Sequence, residues 1–515
     1  MRKGGSTKHG EVRLYLLLAL LIFAPLPAAS VYEWSILVIE LWVLAITAYY
    51  VLTSRRFGGE GSARDSFVKT GVAGKLFVAL FAFIALQMVP LPAFVVEIIS
   101  PQTYEMKSLL IGTAGAIEGA EKGTSFLSLA LSPSTSLRVA LEFLAYFLFG
   151  FLLVQTVKRK KQIYAAVGVL VGIGIFEAAF GLVQLTTDNP SLLLYKKKYG
   201  LDVVTGTFVN RNHLSGFLEM IIPLAIGLVI ARIDFFSLER LNWRARLLKL
   251  AEKGMTVNLM LTLGIVLMTI AVIFSESRSG VFVVILTFLL FFELSVLFGR
   301  GTRKRKRDVR RFVGLVFLVI TVMVLYIGID SIIARFEMLS GDMSRYRFWE
   351  NTMDMIGDFP LTGIGLGNFL YVYPKYETHW GSARLSHTHN DYLEYLSELG
   401  GIGFALLAGG VLYLMIKSFL IWRRRRHPEV KGLAMGGIIA LINMLFHSIT
   451  DFNLQIPANK LLFAAVLALT WVTVHYKYEE SGAGSPVRMK IYKGPTPSRL
   501  KKQEPRPYQI RRRPL

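Results

Sequence analysis

The stretch SESRSGVFVVILTFLLFFELSVLFGRGTRKRKR, residues 275–307, decides the fold. A polar turn opens it. An apolar run follows, long enough as a helix to cross about 30 Å of hydrocarbon. A dense block of arginine and lysine closes it. Such blocks collect on the cytoplasmic side of membrane proteins.

The same unit recurs along the chain. Apolar runs at about 14–31, 34–53, 76–94, 138–157, 163–184, 214–232, 257–274, 280–299, 312–329, 401–421, 432–449 and 458–476 predict about twelve transmembrane helices. The composition agrees, with 53% of the 515 residues hydrophobic and 18% charged. Alternating strands of about ten residues are absent, which argues against a β-barrel. The expected fold class is all-α, a polytopic integral membrane protein with a large outer-face loop containing helices. The chain has no cysteine, so disulfides, thiolate metal sites and thiol catalysis are excluded.

A net charge of +23 raises the question of nucleic acid. The positive-inside rule accounts for it better. With the N-terminus inside, the cytoplasmic connections carry Arg55, Arg56, Arg64, Lys69 and Lys75, then Lys158 to Lys161, then Arg240 to Lys253. Arg300 to Arg311, Arg423 to Arg426 and the basic tail follow on the same side. Twelve spans with both termini cytoplasmic therefore place every dense basic block together. Residues 477–515 read as a disordered basic tail held near anionic lipid. Arg2, Lys3, Lys8 and Arg13 before an apolar run also resemble a signal peptide. Its cleavage would leave the orientation of later spans unchanged. The organisation expected is N-terminal spans over 1–200, a second membrane region over 201–476 including a loop near 330–400, and the tail. A loop of that length is usually functional. Its pattern RYRFWENTMDMIGDFP predicts an amphipathic helix lying on the membrane surface.

Polar clusters remain for the outer face. FVNRNHLSG holds Asn210, Arg211, Asn212 and His213, and SESRSG holds Arg278. SRYRFWE holds Arg345 and Arg347; SHTHND holds His387, His389, Asn390 and Asp391. A weaker fifth, HSITDFNLQIPAN, holds His447, Asp451 and Asn459. Arg278 and Arg211 sit where helices begin, and a helix N-terminus offers free N–H groups and a positive dipole end. Ser277 and Ser279 are candidate caps. A guanidinium grips phosphate oxygens two at a time. Arg345 and Arg347 share a face only if their segment is extended. The set points to a bound anion, against headgroup contact or snorkelling as the blander reading for any one arginine.

His387, His389 and Asp391 are donor types that also suit Zn²⁺. No third strong ligand cluster accompanies them, and a general base is the preferred reading. Gly400 and Gly403 would let helices approach closely. A histidine base beside an arginine-lined anion site suits one reaction: a membrane-bound diphosphate leaves while a hydroxyl attacks the carbon that carried it.

At these residues the chain resembles the O-antigen ligase superfamily, which includes O-antigen polymerases and protein O-oligosaccharyltransferases. The ligase-type pattern is His, then Asn, Ser or Gln, nine residues, Gly, two residues, then Gly, Thr or Tyr. His389-Asn390, Gly400 and Gly403 fit it without a gap. TFVNRNHLSGFLEM, SESRSG, RYRFWENTMDMIGDFPLTGIGLGNF and DFNLQIPAN add family-like features, so that the likeness covers roughly residues 205–470. The resemblance implies glycan transfer from undecaprenyl diphosphate without metal or other cofactor, with His389 catalytic and Arg278 and Arg211 on the diphosphate. Asn210, His213, Arg345, Arg347, His387, Asn390 and Asp451 are the expected substrate-binding set. It implies that the large outer-face loop is periplasmic, with lipid A-core or another glycan as acceptor, membrane lipids around the chain, and no nucleic acid. An O-antigen polymerase is the nearest alternative. A transporter is the more distant one, motivated by Glu40, Glu142, Glu177, Glu219 and Glu293 inside predicted spans.

Overall fold

The computed structural model describes residues 2–56, 71–115, 125–187, 193, 195–197, 202–232, 253–298, 303–327, 344–378 and 385–476. The tail from 477, Arg64, Lys69 and the basic run Arg240 to Lys249 lie outside them.

Sixteen α-helices are described. They are α1 Arg2–Phe23, α2 Glu33–Arg56, α3 Gly71–Met88, α4 Ala93–Ile99, α5 Pro101–Gly115, α6 Pro133–Thr156, α7 Lys160–Thr186 and α8 Arg211–Arg232. There follow α9 Lys253–Phe274, α10 Arg278–Leu297, α11 Arg303–Ile327, α12 Ser344–Asp358, α13 Phe369–Val372, α14 Asp391–Arg424, α15 Pro428–His447 and α16 Pro457–His475. The strands described are one antiparallel pair, Leu91–Pro92 with Phe126–Leu127. The protein is an all-α polytopic membrane protein.

Ten helices among the described residues are long and apolar enough to cross a membrane. The spans expected at 14–31 and 312–329 fall on α1 and α11, which are not among the ten. The first is corrected in extent: α1 stops at Phe23, and Pro25 and Pro27 lead into a turn with positive φ at Ala28, Ala29 and Ser30. Proline lacks the N–H that a continuing helix needs. Even so, α1 links two opposite faces of the bundle. Near its start Glu11 pairs with Arg159 at 2.7 Å, and just past its end the Pro25 carbonyl accepts from Thr207 Oγ1 at 2.8 Å.

The face that holds Arg159 also holds Glu429, bonded to Lys160 at 2.6 Å and to Tyr164 at 2.8 Å. Lys431 there reaches the Phe298 carbonyl at 3.3 Å. This basic face gathers the α6–α7, α10–α11 and α14–α15 connections. The opposite face gathers the polar clusters.

One buried apolar cluster runs from Leu14 to Tyr476. At its centre stands α8, buried from His213 to Ala231. Glycines 227, 432 and 436 let α8 and α15 meet backbone to backbone: a Cβ on Gly227 would lie 2.6 Å from the Gly432 carbonyl oxygen. Pro223 interrupts the ladder of α8, because it has no N–H to donate to the Glu219 carbonyl. Asn443 of α15 supplies the missing donor through Nδ2 at 3.0 Å. Three of the five glutamates expected in spans have partners inside the bundle. Glu219 faces His447, Glu142 faces Lys460, and Glu177 accepts from the Thr207 N–H and hydroxyl.

Candidate active site

Helix α14 begins at the site face and breaks at Gly400, which has φ 62°. The broken turn is filled by the loop Pro360 to Gly367. Ile364 and Gly365 donate to the carbonyls of Ser397 and Glu398, and Gly401 donates to Pro360. A Cβ on Gly400 would collide with the Leu361 carbonyl oxygen, so both the backbone angle and the space require glycine. The sequence expectation of helix approach at Gly400 is therefore corrected: its role is a kink. Gly403 does meet a neighbouring helix, through Phe83 of α3.

Asn390 caps α14, its side-chain oxygen accepting from Tyr392 and Leu393 at 3.0 and 3.1 Å. His389, one residue earlier, has φ 54°. The non-glycine positive φ aims its ring away from the helix and towards the α15–α16 connection. There His389 Nδ1 lies 3.2 Å from Asp451 Oδ1.

Asp451 is the hub of the cluster and is 1% exposed. Its Oδ2 accepts from Asn212 Nδ2 and lies 3.9 Å from Arg345 Nη2. Its Oδ1 accepts from the Phe452 N–H at 2.9 Å and lies 3.9 Å from His213 Nε2. Burial alone would raise its carboxyl. The hydrogen bond from His389 and the nearby imidazoles of His213, His389 and His447 outweigh that and hold it well below the usual carboxylate range.

Phe452 packs this cluster. Its ring centroid lies 4.4 Å from that of His387, 4.6 Å from His213 and 4.8 Å from His389. His387 pairs with a different carboxylate, Glu394, at 2.7 Å. Burial pushes the His387 imidazole down, but the carboxylates of Glu394 and Glu398 together outweigh it, and the net shift is upward. The two histidines thus diverge, each onto its own acid.

The arginines differ in kind. Arg211, at the start of α8, pairs with Glu276 at 3.3 Å, both partly exposed. Arg278, at the start of α10, has no hydrogen-bond or ion-pair partner among the described residues and is part-buried. Ser277 caps α10, accepting from Gly280 N–H at 3.3 Å. Ser279 does not cap. It bonds Thr450 Oγ1 at 2.7 Å, tying the Arg278 turn to the residue before Asp451. Arg345 lies on α12 and donates to the Thr450 carbonyl at 2.9 Å. Because that segment is helical, Arg347 diverges from it and is exposed. Asn210 holds the first turn of α8, accepting from Asn212 N–H at 2.9 Å.

The structure therefore brings Arg211, Asn212, His213, Arg278, Arg345, His387, His389 and Asp451 into one linked cluster and leaves Arg347 outside it. Asn210 and Asn390 act as caps. Asn459 donates to the His213 carbonyl at 3.1 Å. Phe452, Glu276 and Glu394 were not singled out from the sequence. Phe452 lies inside the stretch DFNLQIPAN, yet nothing local marks it as a ring shared by three imidazoles.

Residues 263–408 match the O-antigen ligase family model, consistent with the O-antigen ligase superfamily. That match points to a glycosyltransferase of O-antigen ligase or polymerase type acting on lipid-linked glycans. The matched segment contains Arg278, Arg345 and His389; Arg211 and Asp451 lie beyond it. No curated protein matches the chain.

Proposed function

We propose that this protein is an O-antigen ligase type glycosyltransferase of the bacterial inner membrane. It moves a glycan from undecaprenyl diphosphate to an acceptor hydroxyl on lipid A-core, with the site at the periplasmic face and both termini cytoplasmic. The observation that carries the reading is the buried Asp451 carboxylate on His389 Nδ1, in a cluster that also contains, at a helix N-terminus, a guanidinium with no partner among the described residues.

In the step, the acceptor oxygen attacks the anomeric carbon, and the bond from that carbon to the diphosphate oxygen breaks. The hydroxyl proton passes to His389 Nε2. Asp451 holds the ring with its other nitrogen engaged and stabilises the imidazolium that forms. The diphosphate leaves on the polyprenol. Arg278, with the free N–H groups of the α10 start, takes the charge growing on it. Arg211 joins by exchanging Glu276 for a phosphate oxygen. Arg345, tethered to Thr450, keeps the Asp451 turn in place. No step draws on a metal ion.

The test is transfer in vitro. Purified protein in lipid is given a purified undecaprenyl diphosphate-linked glycan and candidate acceptors. Product on lipid A-core with wild type and none with His389→Ala supports the reading. Product only on a second lipid-linked glycan makes the protein a polymerase. In cells, loss of a ligase leaves long chains on the carrier and bare lipid A-core.

A further inference from the structure

A cavity of about 330 Å³ lies between α3, α6, α14 and α16, outside the cluster just described. Its walls are almost wholly apolar and aromatic, with Phe77, Phe147, Phe404 and Leu467 among them. It follows the helices from the site face towards the basic face. Along α16 it extends from Lys460 to Trp471, which is about 16 Å at the helical rise. The shape fits one hydrocarbon chain.

Its polar end is formed by Asp391, Ser448 and Lys460. Asp391 is 1% exposed and two residues from His389. One of its oxygens accepts from Leu454 N–H at 3.0 Å, and the Ser448 hydroxyl stands beside the carboxyl as its nearest side-chain neighbour for hydrogen bonding. Lys460 is already engaged with Glu142 at 3.1 Å. A buried carboxyl and hydroxyl at the mouth suit a headgroup hydroxyl or amide, which can both donate and accept. A diphosphate would find none of the arginines here that line the other flank.

The 448–456 connection separates two flanks. Asp451 and Phe452 face His389 and the arginine flank, whereas the Leu454 N–H faces Asp391 and the cavity. Resting on the reading of His389 as base and the arginines as donor site, we infer that the cavity holds an acyl chain of the acceptor, a glycolipid whose head presents a hydroxyl or amide to Asp391. Donor and acceptor lipids then approach the histidine from opposite sides.

The test uses full-length protein in lipid nanodiscs and two photoreactive probes, a diazirine-tailed dodecyl maltoside and a diazirine-tailed farnesyl diphosphate. Labelled peptides are mapped by mass spectrometry. The maltoside should label the cavity walls, and plain dodecyl maltoside should compete. Gly150→Phe and Ala408→Phe, from two different walls, should each cut that labelling by about tenfold. Gly150 lines the cavity, and a Cβ there meets the Ala464 carbonyl oxygen at 3.6 Å, an ordinary contact. In transfer assays both variants should raise KM for an acylated acceptor by about tenfold and leave transfer to its deacylated, water-soluble form unchanged. Cavity labelling by the farnesyl probe instead, or maltoside labelling that neither variant reduces, overturns the inference. Labelling is read without turnover, so failure of the catalytic reading is seen separately, as transfer that survives His389→Ala. If both variants misfold, competition on the wild type still decides.

Discussion

His389 Nδ1 and Asp451 Oδ1, 62 residues apart in the chain, lie 3.2 Å apart in the fold. The carboxylate is buried and held ionised by the imidazoles around it, whereas the ring is a quarter exposed. One nitrogen is thereby engaged with a fixed acid and the other is left for substrate. Replacing His389 by Ala should lower kcat by about 10²–10⁴-fold, the usual worth of a positioned base. Asp451→Asn should also cut kcat while leaving the donor KM nearly unchanged, because shape is kept and the charge is lost. A donor KM that rises in step with the loss of kcat would place Asp451 on the donor instead.

Among the described residues, Arg278 has no hydrogen-bond or ion-pair partner. Arg278→Gln should slow transfer by about 10²–10³-fold, as when a donor to a developing charge is removed. Arg278→Lys should recover little of it, since an ammonium cannot present two parallel N–H groups. Steady-state kinetics on both variants provide the check, and full activity in the lysine variant would refute bidentate contact.

Gly400→Ala should destabilise the protein rather than alter chemistry selectively. The positive φ alone costs about 1–3 kcal/mol for a residue with a Cβ. The new methyl would also meet the Leu361 carbonyl at the kink. A melting temperature in detergent is the measurement, and an unchanged value would mean the 360–367 loop does not fill the break.

The His387–Glu394 pair makes a pH prediction. Its imidazole titrates above the ordinary 6.5 in the folded protein. A raised folded value means the pair stabilises fully below the unfolded pKa, and the contribution disappears as pH rises through the folded one. The stability gap between wild type and His387→Gln should therefore be widest below pH 6.5 and narrow in alkaline solution. Melting curves across that range decide it, and a gap that widens with pH contradicts the pairing.

Chelator should not matter. The base and the charge stabilisers assigned are side chains of this chain, so transfer in EDTA should equal transfer without it. Complete loss of activity, restored by a divalent ion, would replace the mechanism.

Much was legible in the linear chain because it depends on neighbours in sequence. Apolar length, the Ser277 cap and the amphipathic pattern of α12 are local properties, and the helices came where those properties placed them. The early end of α1 was legible too, in Pro25 and Pro27, but the apolar run around them concealed it. Residue types at the site were also readable: histidine at a helix mouth, arginine at helix starts. Partnership was not. Asp451 ranked as a member of the weakest cluster until folding set it against His389, Asn212 and Arg345, which lie 62, 239 and 106 positions away. No chain-local rule links such positions. Only the close contact of α8 and α15 through glycine, and the kink at Gly400, set the distances at which an acid orients one imidazole beside the arginine-bearing helix starts.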